Sequence, residues 1–285
     1  MRRGVHALAT AALSPLRTLA DLPRALGFQH SSLRGRLVVV TGASSGIGEA
    51  AARRFAARGA EVVLVARNLE TLEAVRDSLA ADGATAHAVT ADLSDVDGAA
   101  ALAAEILERF GAPDVLVNNA GRSIRRSVLD TVDRFHDFER TMALNYFGAV
   151  RLTTALLPAM IERGSGRIVN VVTWGVTAGS MPKFSAYHAS KAALAAFGRS
   201  LDDECRGTGV TVGNVGFPLV RTPMIAPTAD YDDAPALTPE QAAEWILDAA
   251  ETGKPEIYPI YAAVLRTVSG FSPRLTGDLI RRSGI

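Results

Sequence analysis

Tyr187 and Lys191 are the two side chains of this chain whose types and spacing could most directly perform acid–base chemistry. In the segment SAYHASKAAL they are four residues apart, so they lie on one face of a helix. A phenol has a pKa near 10, and a neighbouring ammonium favours the phenolate and lowers that value. Tyr187 could then give a proton to a carbonyl oxygen while a hydride arrives at the carbon. Lys191 could also hydrogen-bond the ribose of a nicotinamide cofactor. An exposed pair without a catalytic role is the alternative, and the preceding elements decide between the two.

A glycine-rich turn, TGASSGIG at 41–48, lies between the apolar run RLVVVT and the helical pattern GEAAARRFAARG. Glycines permit a tight turn and let backbone N–H groups approach a pyrophosphate, towards which the following helix points its positive end. In this strand–turn–helix context the pattern predicts a dinucleotide site rather than an empty turn. The predicted contacts are Gly42, Ser44, Ser45, Gly46, Ile47 and Gly48.

The residue after the second strand distinguishes the two nicotinamide cofactors. An acidic residue there would bind the ribose 2′-hydroxyl, whereas a basic one suits a 2′-phosphate. The strand ends in Val65-Ala66-Arg67, and the planar guanidinium of Arg67 fits phosphate, so we predict NADPH. A surface arginine without that role is the alternative. Asp92, with Leu93, follows the third strand, and Asn118 ends the fourth; we expect them to contact adenine and the neighbouring backbone.

Strands and helices alternate strictly along the chain. Seven apolar or β-branched runs (RLVVVT, EVVLVAR, TAHAVTADL, DVLVNNAG, GRIVNVVTW, VTVGNVGFP and PEIYPI) are separated by helical patterns, two of them long, over 134–163 and 185–206. This order predicts an α/β fold, a Rossmann-type doubly wound parallel seven-stranded sheet with helices on both faces. Ligands of such sheets bind at the carboxyl ends of the strands. We divide the chain into a leader (1–34), an NADP-binding domain (35–260) and a tail (261–285) that contacts substrate or another subunit.

Composition excludes several classes of protein. Lys and Arg together number 30, as do Asp and Glu, so no overall basic charge points to nucleic acid. The single cysteine, Cys205, excludes an internal disulfide, fits a cytoplasmic location and is expected to be buried and inert. The five histidines lack metal-ligand spacing, so no metal is predicted. No apolar run is long enough to span a membrane.

The leader mixes leucines with arginines and contains Pro15 and Pro23. A secretory signal fits poorly, because the apolar run is short and no clean cleavage site follows. A solvated leader and a basic amphipathic segment lying on the inner membrane surface both remain open. The tail has a similar mixture, so the same peripheral membrane contact, or packing against a second subunit, could apply to it.

Over about residues 35–260 the chain resembles the short-chain dehydrogenases/reductases. The matching residues are TGASSGIG at 41–48, NNAG at 118–121, Asn145 and YHASK at 187–191. The resemblance implies a catalytic tetrad of Asn145, Thr173, Tyr187 and Lys191, in which Asn145 holds a water of the proton relay. Threonine replaces the usual serine, with Ser180 and Ser185 as alternatives, and Leu219 replaces a glycine that often follows Pro218. Further cofactor contacts implied by the resemblance are Asn119, Ala120, Gly121, Pro218, Val220 and Thr222. Relatives associate through their two long helices, which implies a homodimer or homotetramer.

Two longer runs, from NNAG through RSIRRSVLDTVDRFHDFERTMALNYFGAVRL and PLVRTPMIAPT at 218–228, look like the bacterial short-chain-type fatty acyl-CoA reductases. This resemblance implies NADPH-dependent reduction of a long-chain acyl-CoA to the fatty aldehyde with release of CoA. A reductase of ketones, aldehydes or 3-ketoacyl lipids is the first alternative, since the same tetrad serves them. An NADP-binding regulatory protein without turnover is the second.

Three arginines, Arg122, Arg125 and Arg126, follow the fourth strand at the ligand-binding edge. One hypothesis is that they pair with CoA phosphates, to which arginine geometry is suited. The alternative is that they only form salt bridges, to Asp130, Asp133 or Asp137. Apolar residues that could line an acyl channel are Met181, Phe184, Met224 and Ile225.

Overall fold

The computed structural model describes residues 13–15, 32–226 and 228–282. Within these residues, seven strands form one sheet in the order β3-β2-β1-β4-β5-β6-β7, and every pairing is parallel. The strands are β1 (Leu37–Thr41), β2 (Glu61–Ala66), β3 (Ala86–Thr90), β4 (Val115–Asn118), β5 (Gly166–Thr173), β6 (Val210–Phe217) and β7 (Glu256–Ile257). The predicted α/β fold with a doubly wound parallel sheet is confirmed.

Helices cross between the strands and cover both faces of the sheet. They are α1 (Gly46–Ala57), α2 (Leu69–Ala81), α3 (Val96–Phe110), α4 (His136–Met142), α5 (Ala149–Arg163), α6 (Ser185–Glu204), α7 (Pro239–Thr252), α8 (Ile260–Phe271) and α9 (Pro273–Arg282). Short 3-10 helices occupy Trp174–Thr177 and Ala229–Tyr231.

Strand β1 shows why the strands read as unbroken apolar runs. Val38 and Val40 belong to the apolar cluster on one face of the sheet, whereas Leu37 and Val39 belong to the cluster on the other. A strand covered by helices on both faces gains from an apolar side chain at every position. The central strands are therefore held in fixed register, and their carboxyl ends lie side by side at one edge.

A third apolar cluster lies at that edge and is built from the end of β5, helix α6 and the C-terminal helices. Its buried members include Trp174, Met181, Phe184, Ala262 and Ile280. It surrounds the region where the sheet topology predicts a ligand.

The prediction of one continuous helix over 134–163 is wrong in the middle of that segment. Residues 136–142 and 149–163 are α-helical, but Ala143–Gly148 forms a π-helical turn between them. Gly148 explains the close packing there, because a Cβ on it would lie 2.3 Å from the carbonyl oxygen of Leu93. The second long helix ends at Glu204, close to the predicted 206, and Cys205 is buried directly after it, where burial raises the thiol pKa.

Two of the predicted segment boundaries, at residues 34 and 260, can be compared with the structure. Position 260 begins α8, so the proposed boundary between domain and tail falls at the start of a helix rather than in a linker. Most of the leader lies outside the described residues; of 1–34, only 13–15 and 32–34 are described, and Pro15 pairs with Pro259 at the start of α8.

Candidate active site

The glycine turn after β1 brings backbone to backbone without room for side chains. Gly42 has φ +68°, and a Cβ on it would lie 2.9 Å from Asn119 Nδ2 and 3.0 Å from the Ala120 Cα. A Cβ on Gly48 would lie 2.1 Å from the carbonyl oxygen of Gly42. Ser45, the N-cap of α1, makes no capping hydrogen bond with its side chain. The side chain of Ser45 therefore does not occupy the first backbone N–H groups of α1, and these groups can bind a diphosphate.

A hydrogen-bond hub joins this turn to the loop after β4. Thr41 Oγ1 donates to the Val117 carbonyl (3.0 Å) and accepts from the amides of Asn119 (2.9 Å) and Ala120 (3.0 Å). Asn119 Nδ2 donates back to the Thr41 carbonyl at 2.9 Å. The hub fixes Asn119, Ala120 and Gly121 beside the glycine turn. Sequence reasoning missed Thr41; its position as the last residue of a buried strand was the available signal.

The ends of β2, β3 and β4 carry a group of charges. Arg67 is exposed directly after β2, and no ion pair links it, Arg122 or Arg140 to an acidic residue within the described part of the chain. Burial, followed by the nearby charges of Arg140 and Arg67, lowers the pKa of Arg122. The side chain of Arg122 therefore lies within the electrostatic range of Arg67, on the side expected to bind the adenosine end of the cofactor.

Asp92 lies in this group, and its carboxylate is already engaged. It accepts hydrogen bonds from Ser94 Oγ (2.5 Å) and the Ser94 amide (2.9 Å), and the Ser94 hydroxyl lowers its pKa. Leu93 beside it is buried.

The structure places Asn118 away from the expected adenine contact. Its Nδ2 donates to Thr153 Oγ1 and to Asn170 Oδ1, both at 2.9 Å, and the residue is buried. The last residue of β4 turns its side chain into the layer beneath the sheet edge, which does not support an adenine contact by that side chain; a contact through the backbone at 118 stays a prediction. Its neighbour Asn119 faces the glycine turn instead.

Tyr187 and Lys191 lie one turn apart at the start of α6, next to the end of β5. The Thr173 hydroxyl hydrogen-bonds the Tyr187 phenol, and Lys191 Nζ donates to the Val171 carbonyl at 2.8 Å. Burial raises the pKa of Tyr187 to about 12 and lowers that of Lys191 to about 8. The Tyr187 pKa is thus raised, not lowered as expected, because burial disfavours the charged form of each group and the Thr173 hydroxyl opposes this only in part. Tyr187 is a neutral phenol, able to donate a proton, across the physiological pH range.

Asn145 lies in the π-helical turn and is fully buried. Its Oδ1 accepts from the Arg122 amide (2.8 Å), and its Nδ2 donates to the Arg122 carbonyl (2.9 Å) and to Ser190 Oγ (3.0 Å). A Cβ on Gly121 would lie 3.2 Å from Asn145 Oδ1 and 3.3 Å from Lys191 Nζ. The Asn145 amide therefore fastens the loop after β4 to α6, and the backbone at 121 passes close to the ammonium.

Thr173 is placed where the tetrad serine was expected. It is buried at the end of β5, lines the cavity above Tyr187 and hydrogen-bonds the Tyr187 phenol. The alternatives Ser180 and Ser185 do not line this cavity. His188, next to Tyr187, instead bonds the Gly175 carbonyl through Nε2 (3.0 Å), and burial lowers its pKa.

A cavity of about 920 Å³ opens over these groups. Predicted residues that line it are Ile47, Asn119, Gly121, Arg122, Arg125, Arg126, Thr173, Met181, Phe184, Tyr187, Lys191, Pro218, Val220, Thr222, Met224 and Ile225. The C-terminal residues Tyr261, Leu265, Leu279 and Ile280 also line it, as does Leu13. The sequence predicted substrate or subunit contact for the tail (261–285) as a whole, in which four of these five residues lie, but did not single out any of the five as cavity residues.

The three arginines after β4 separate from one another. Arg125 forms an ion pair with Asp230 (2.8 Å) and lies over the Tyr231 ring, 5.6 Å from its centre. Its Nε is buried and has no hydrogen-bond partner in the described part of the protein. Arg126 pairs with Asp137 at 3.3 Å, one of the three predicted partners. Arg122 faces the cofactor side, so the three do not form one cluster.

Two further features concern the described residues only. They contain no cluster of three or more histidine, cysteine, aspartate or glutamate residues that could hold a metal ion. None of the helices seen in ranges 13–15, 32–226 and 228–282 has the length and apolar character needed to cross a membrane.

Comparison with known proteins adds independent information. A family model described as short chain dehydrogenase matches residues 36–232. A fatty acyl-CoA reductase of Mycobacterium tuberculosis is 46% identical over 254 residues, 89% of this chain and 86% of that protein. A fatty acyl-CoA reductase of Acinetobacter baylyi is 50% identical over 220 residues, 77% of this chain and 74% of that protein. A metagenomic short-chain oxidoreductase solved in complex with NADP superposes with a TM-score of 0.68 at 35% identity, over 80% of this chain and 98% of that one.

Proposed function

The chain belongs to the short-chain dehydrogenase family, and on that premise we propose that it is an NADPH-dependent fatty acyl-CoA reductase. It reduces a long-chain acyl-CoA to the fatty aldehyde and releases CoA. The observation that carries this proposal is one cavity in which Tyr187, Lys191 and Thr173 meet an extensive apolar wall. Curated relatives named as fatty acyl-CoA reductases support the same activity.

The residues present fit NADPH. The tight turn at Gly42 and Gly48 leads directly into the first amides of α1, which the Ser45 side chain does not cap, so they can bind a diphosphate. Arg67 is an exposed guanidinium after β2 that forms no ion pair within the described residues, although its charge acts on Asp92. Solved relatives of this fold bind NADP or NADPH. When bound, NADPH supplies the hydride. Lys191 would hold the nicotinamide ribose, with Asn119, Ala120, Pro218, Val220 and Thr222 forming the rest of the wall.

The hydroxyls of Tyr187 and Thr173 act on the thioester oxygen. As a hydride adds to the carbonyl carbon and forms the new C–H bond, the π electrons of the carbonyl move to the oxygen. Both hydroxyls donate hydrogen bonds to the negative charge that develops there. Collapse of the tetrahedral alkoxide re-forms the carbonyl, breaks the carbon–sulfur bond and expels the CoA thiolate, which takes up the proton of the Tyr187 phenol. The products are the aldehyde and CoA. This route uses no covalent acyl-enzyme.

Lys191 and Asn145 organise the donors. The Lys191 ammonium is buried one helical turn from the phenol, and Asn145 fixes the backbone of Arg122 and the Ser190 hydroxyl next to it. We propose that Asn145, at the π-helical turn, holds the water through which Tyr187 regains its proton.

One assay tests the activity and separates it from the alternatives. Enzyme, NADPH and palmitoyl-CoA are mixed, and nicotinamide absorbance and free thiol are followed together. Equal rates of NADPH loss and thiol release are expected. NADPH oxidation with ketones or aldehydes only would replace the proposal by the ketone or aldehyde reductase. Binding of NADPH without turnover of any carbonyl would favour the regulatory protein.

Among the arginines, Arg125 is our candidate for a CoA phosphate. It lines the cavity, its Nε lacks a partner, and Asp230, its ion-pair partner, has a side chain that is 64% exposed and thus easily displaced. Arg126, paired with the buried Asp137, is better suited to fixing the loop. Arg125→Ala should raise KM for acyl-CoA and leave the Kd of NADPH unchanged; an unchanged KM would refute the assignment.

We also propose contact with an anionic membrane surface through the end of the chain. Phe271 is 89% exposed and Leu275 is 51% exposed, and α9 carries three arginines against Asp278. Apolar side chains beside basic ones are typical of surfaces that lie on bilayers. Co-sedimentation with vesicles containing phosphatidylglycerol, but not with pure phosphatidylcholine, is the expected result.

We also propose a homo-oligomer formed through α5 and α6. Light scattering on the purified protein tests this proposal.

A further inference from the structure

Helices α8 and α9 form a hairpin, called here the C-terminal hairpin (residues 260–282), that packs on the end of β5. The Thr177 hydroxyl donates to the Ala262 carbonyl at 3.2 Å. The Trp174 and Tyr261 rings meet edge to face, with centres 5.3 Å apart. The hairpin is thus anchored to the 3-10 turn that directly follows Thr173.

The two faces of the hairpin differ. Tyr261, Leu265 and Ile280 face the cavity, and Ile280 is only 2% exposed. On the outer face Val264 is 59% exposed. Since the inner face contributes aromatic and aliphatic groups to a cavity that also contains Tyr187, it can bury a hydrocarbon chain whose reactive end lies at the phenol.

The remaining walls make the cavity asymmetric. Met181 and Phe184 are buried and belong to the same apolar cluster as Trp174 and Ile280. The charged pair Arg125–Asp230 also borders the cavity but comes from other segments, the loop after β4 and the 3-10 helix after β6. A ligand with a long apolar tail and an anionic head matches this division.

We propose that the C-terminal hairpin binds the acyl chain of the substrate and sets the preferred chain length. This inference rests on the proposed acyl-CoA reductase activity and assigns a role to residues beyond the segment 36–232 matched by the family model. Burial of each additional methylene corresponds to a factor of about four in affinity. Long-chain acyl-CoA should therefore be favoured steeply over short-chain acyl-CoA until the cavity is filled.

A bulky substitution on the inner face tests the proposal, with a matched substitution next to it as the control. Leu265→Trp would fill the cavity at the hairpin, whereas Val264→Trp places the same indole on the outer face. The measured quantity is the ratio of kcat/KM for palmitoyl-CoA to kcat/KM for butyryl-CoA. We expect Leu265→Trp to lower this ratio by about tenfold or more, the loss of roughly two buried methylenes. Val264→Trp should leave it within about twofold, a change too small to correspond to one methylene.

Equal ratios in the wild type and both variants would overturn the inference while leaving the proposed function intact. If Leu265→Trp fails to fold by circular dichroism, Leu279→Trp takes its place, because Leu279 lines the cavity and is already 46% exposed.

A binding measurement decides the inference even without turnover. Fluorescence of cis-parinaric acid reports occupation of an apolar site, and palmitoyl-CoA should displace it from the wild type and the Val264→Trp variant but only weakly from the inner-face variant. A wild type that binds the probe but reduces no acyl-CoA would refute the proposed function and retain the apolar site. Equal binding of the probe by all variants would overturn the hairpin assignment.

Discussion

Tyr187 is partly buried beside the buried Lys191, and desolvation shifts the pKa values of the two groups in opposite directions. Burial raises the phenol pKa to about 12 and lowers the ammonium pKa to about 8, since the charged form of each is disfavoured. The phenol is therefore protonated throughout the working range, ready to donate to an oxyanion. This assignment of roles rests on burial and on the Thr173 hydroxyl, rather than on a phenolate stabilised by lysine.

Removing the phenol hydroxyl should abolish most of the chemistry and little of the cofactor binding. For Tyr187→Phe we expect kcat to fall by roughly 10²- to 10⁴-fold, the usual contribution of a positioned acid. The Kd of NADPH, measured by its fluorescence, should change less than about threefold, under one kcal/mol. Thr173→Ser, which keeps the second hydroxyl, provides the comparison and should remain active. Wild-type turnover by the phenylalanine variant would rule out the assigned mechanism.

The pH dependence should follow Lys191. Below a pH of about 8 the group carries its charge, and above it the charge is lost, so kcat/KM should decline as pH rises through about 8. Tyr187 cannot cause this decline, because its pKa is about 12. Initial rates between pH 6 and 10 at fixed ionic strength measure the profile. A rate that stays level up to pH 10 would contradict the role of the ammonium.

Spacing along the chain predicted which residues meet but not where each side chain points. Tyr187 and Lys191 could be paired because a helix fixes positions i and i+4. The orientation of Asn118 could not, because a residue at the end of a strand faces either the ligand or the layer below, and one residue of register decides. Similarly, the partner of Arg125 is Asp230, 105 residues away, which no local pattern indicates.

At the scale of elements, the turn between β1 and α1 depends on the absence of a side chain at Gly48. A Cβ there would lie 2.1 Å from the carbonyl oxygen of Gly42, backbone against backbone, so the turn must open. For Gly48→Ala we expect the Kd of NADPH to rise at least about tenfold, or 1.4 kcal/mol. The melting temperature should also fall.

Gly270→Ala is the matched control for that change. Gly270 lies in α8, and nothing lies within 4 Å of an added Cβ. This variant should bind NADPH as the wild type does. An alanine at 48 that binds NADPH normally would show that the turn adapts and that its glycine is not required.

The π-helical turn at Ala143–Gly148 was not predicted from the sequence. Apolar periodicity predicts one helix through 134–163, because an inserted residue shifts the period too little to detect in a short segment. The structure instead interrupts it at Ala143–Gly148 and directs Asn145 towards Arg122 and Ser190. Such turns are frequent at functional sites, which agrees with the proposed role of Asn145.

For the whole molecule, strict alternation of strand and helix was sufficient to predict the sheet, since a right-handed crossover leaves few topologies open. The tail was predicted to contact substrate or another subunit, but its helices and the side chains that line the cavity were not predicted. Its residues follow β7, where the repeating pattern ends, and only long-range packing on the turn at 174–177 brings them over the site. The repeating part of the fold could therefore be predicted from sequence, as could four apolar residues of the cavity, Met181, Phe184, Met224 and Ile225, whereas the placement of the hairpin over them could not.

Binding of NADPH should stabilise the whole fold, because the residues proposed to hold it lie at the ends of several strands. A ligand at one hundred times its Kd adds about 2.7 kcal/mol to the free energy of unfolding, which for a chain of this size raises the melting temperature by roughly 5 to 10 °C. NADH, without the 2′-phosphate, should give a much smaller shift at equal concentration.

Arg67→Ala removes the cation proposed to bind that phosphate, a charged hydrogen bond worth about 1.5–3 kcal/mol. It should reduce the NADPH shift to that of NADH. Arg206→Ala, at an exposed arginine beyond the end of α6, should keep the wild-type difference between the two cofactors. An NADPH shift that survives Arg67→Ala would show that the 2′-phosphate is bound elsewhere, and Arg122 and Arg140 would be the next cations to substitute.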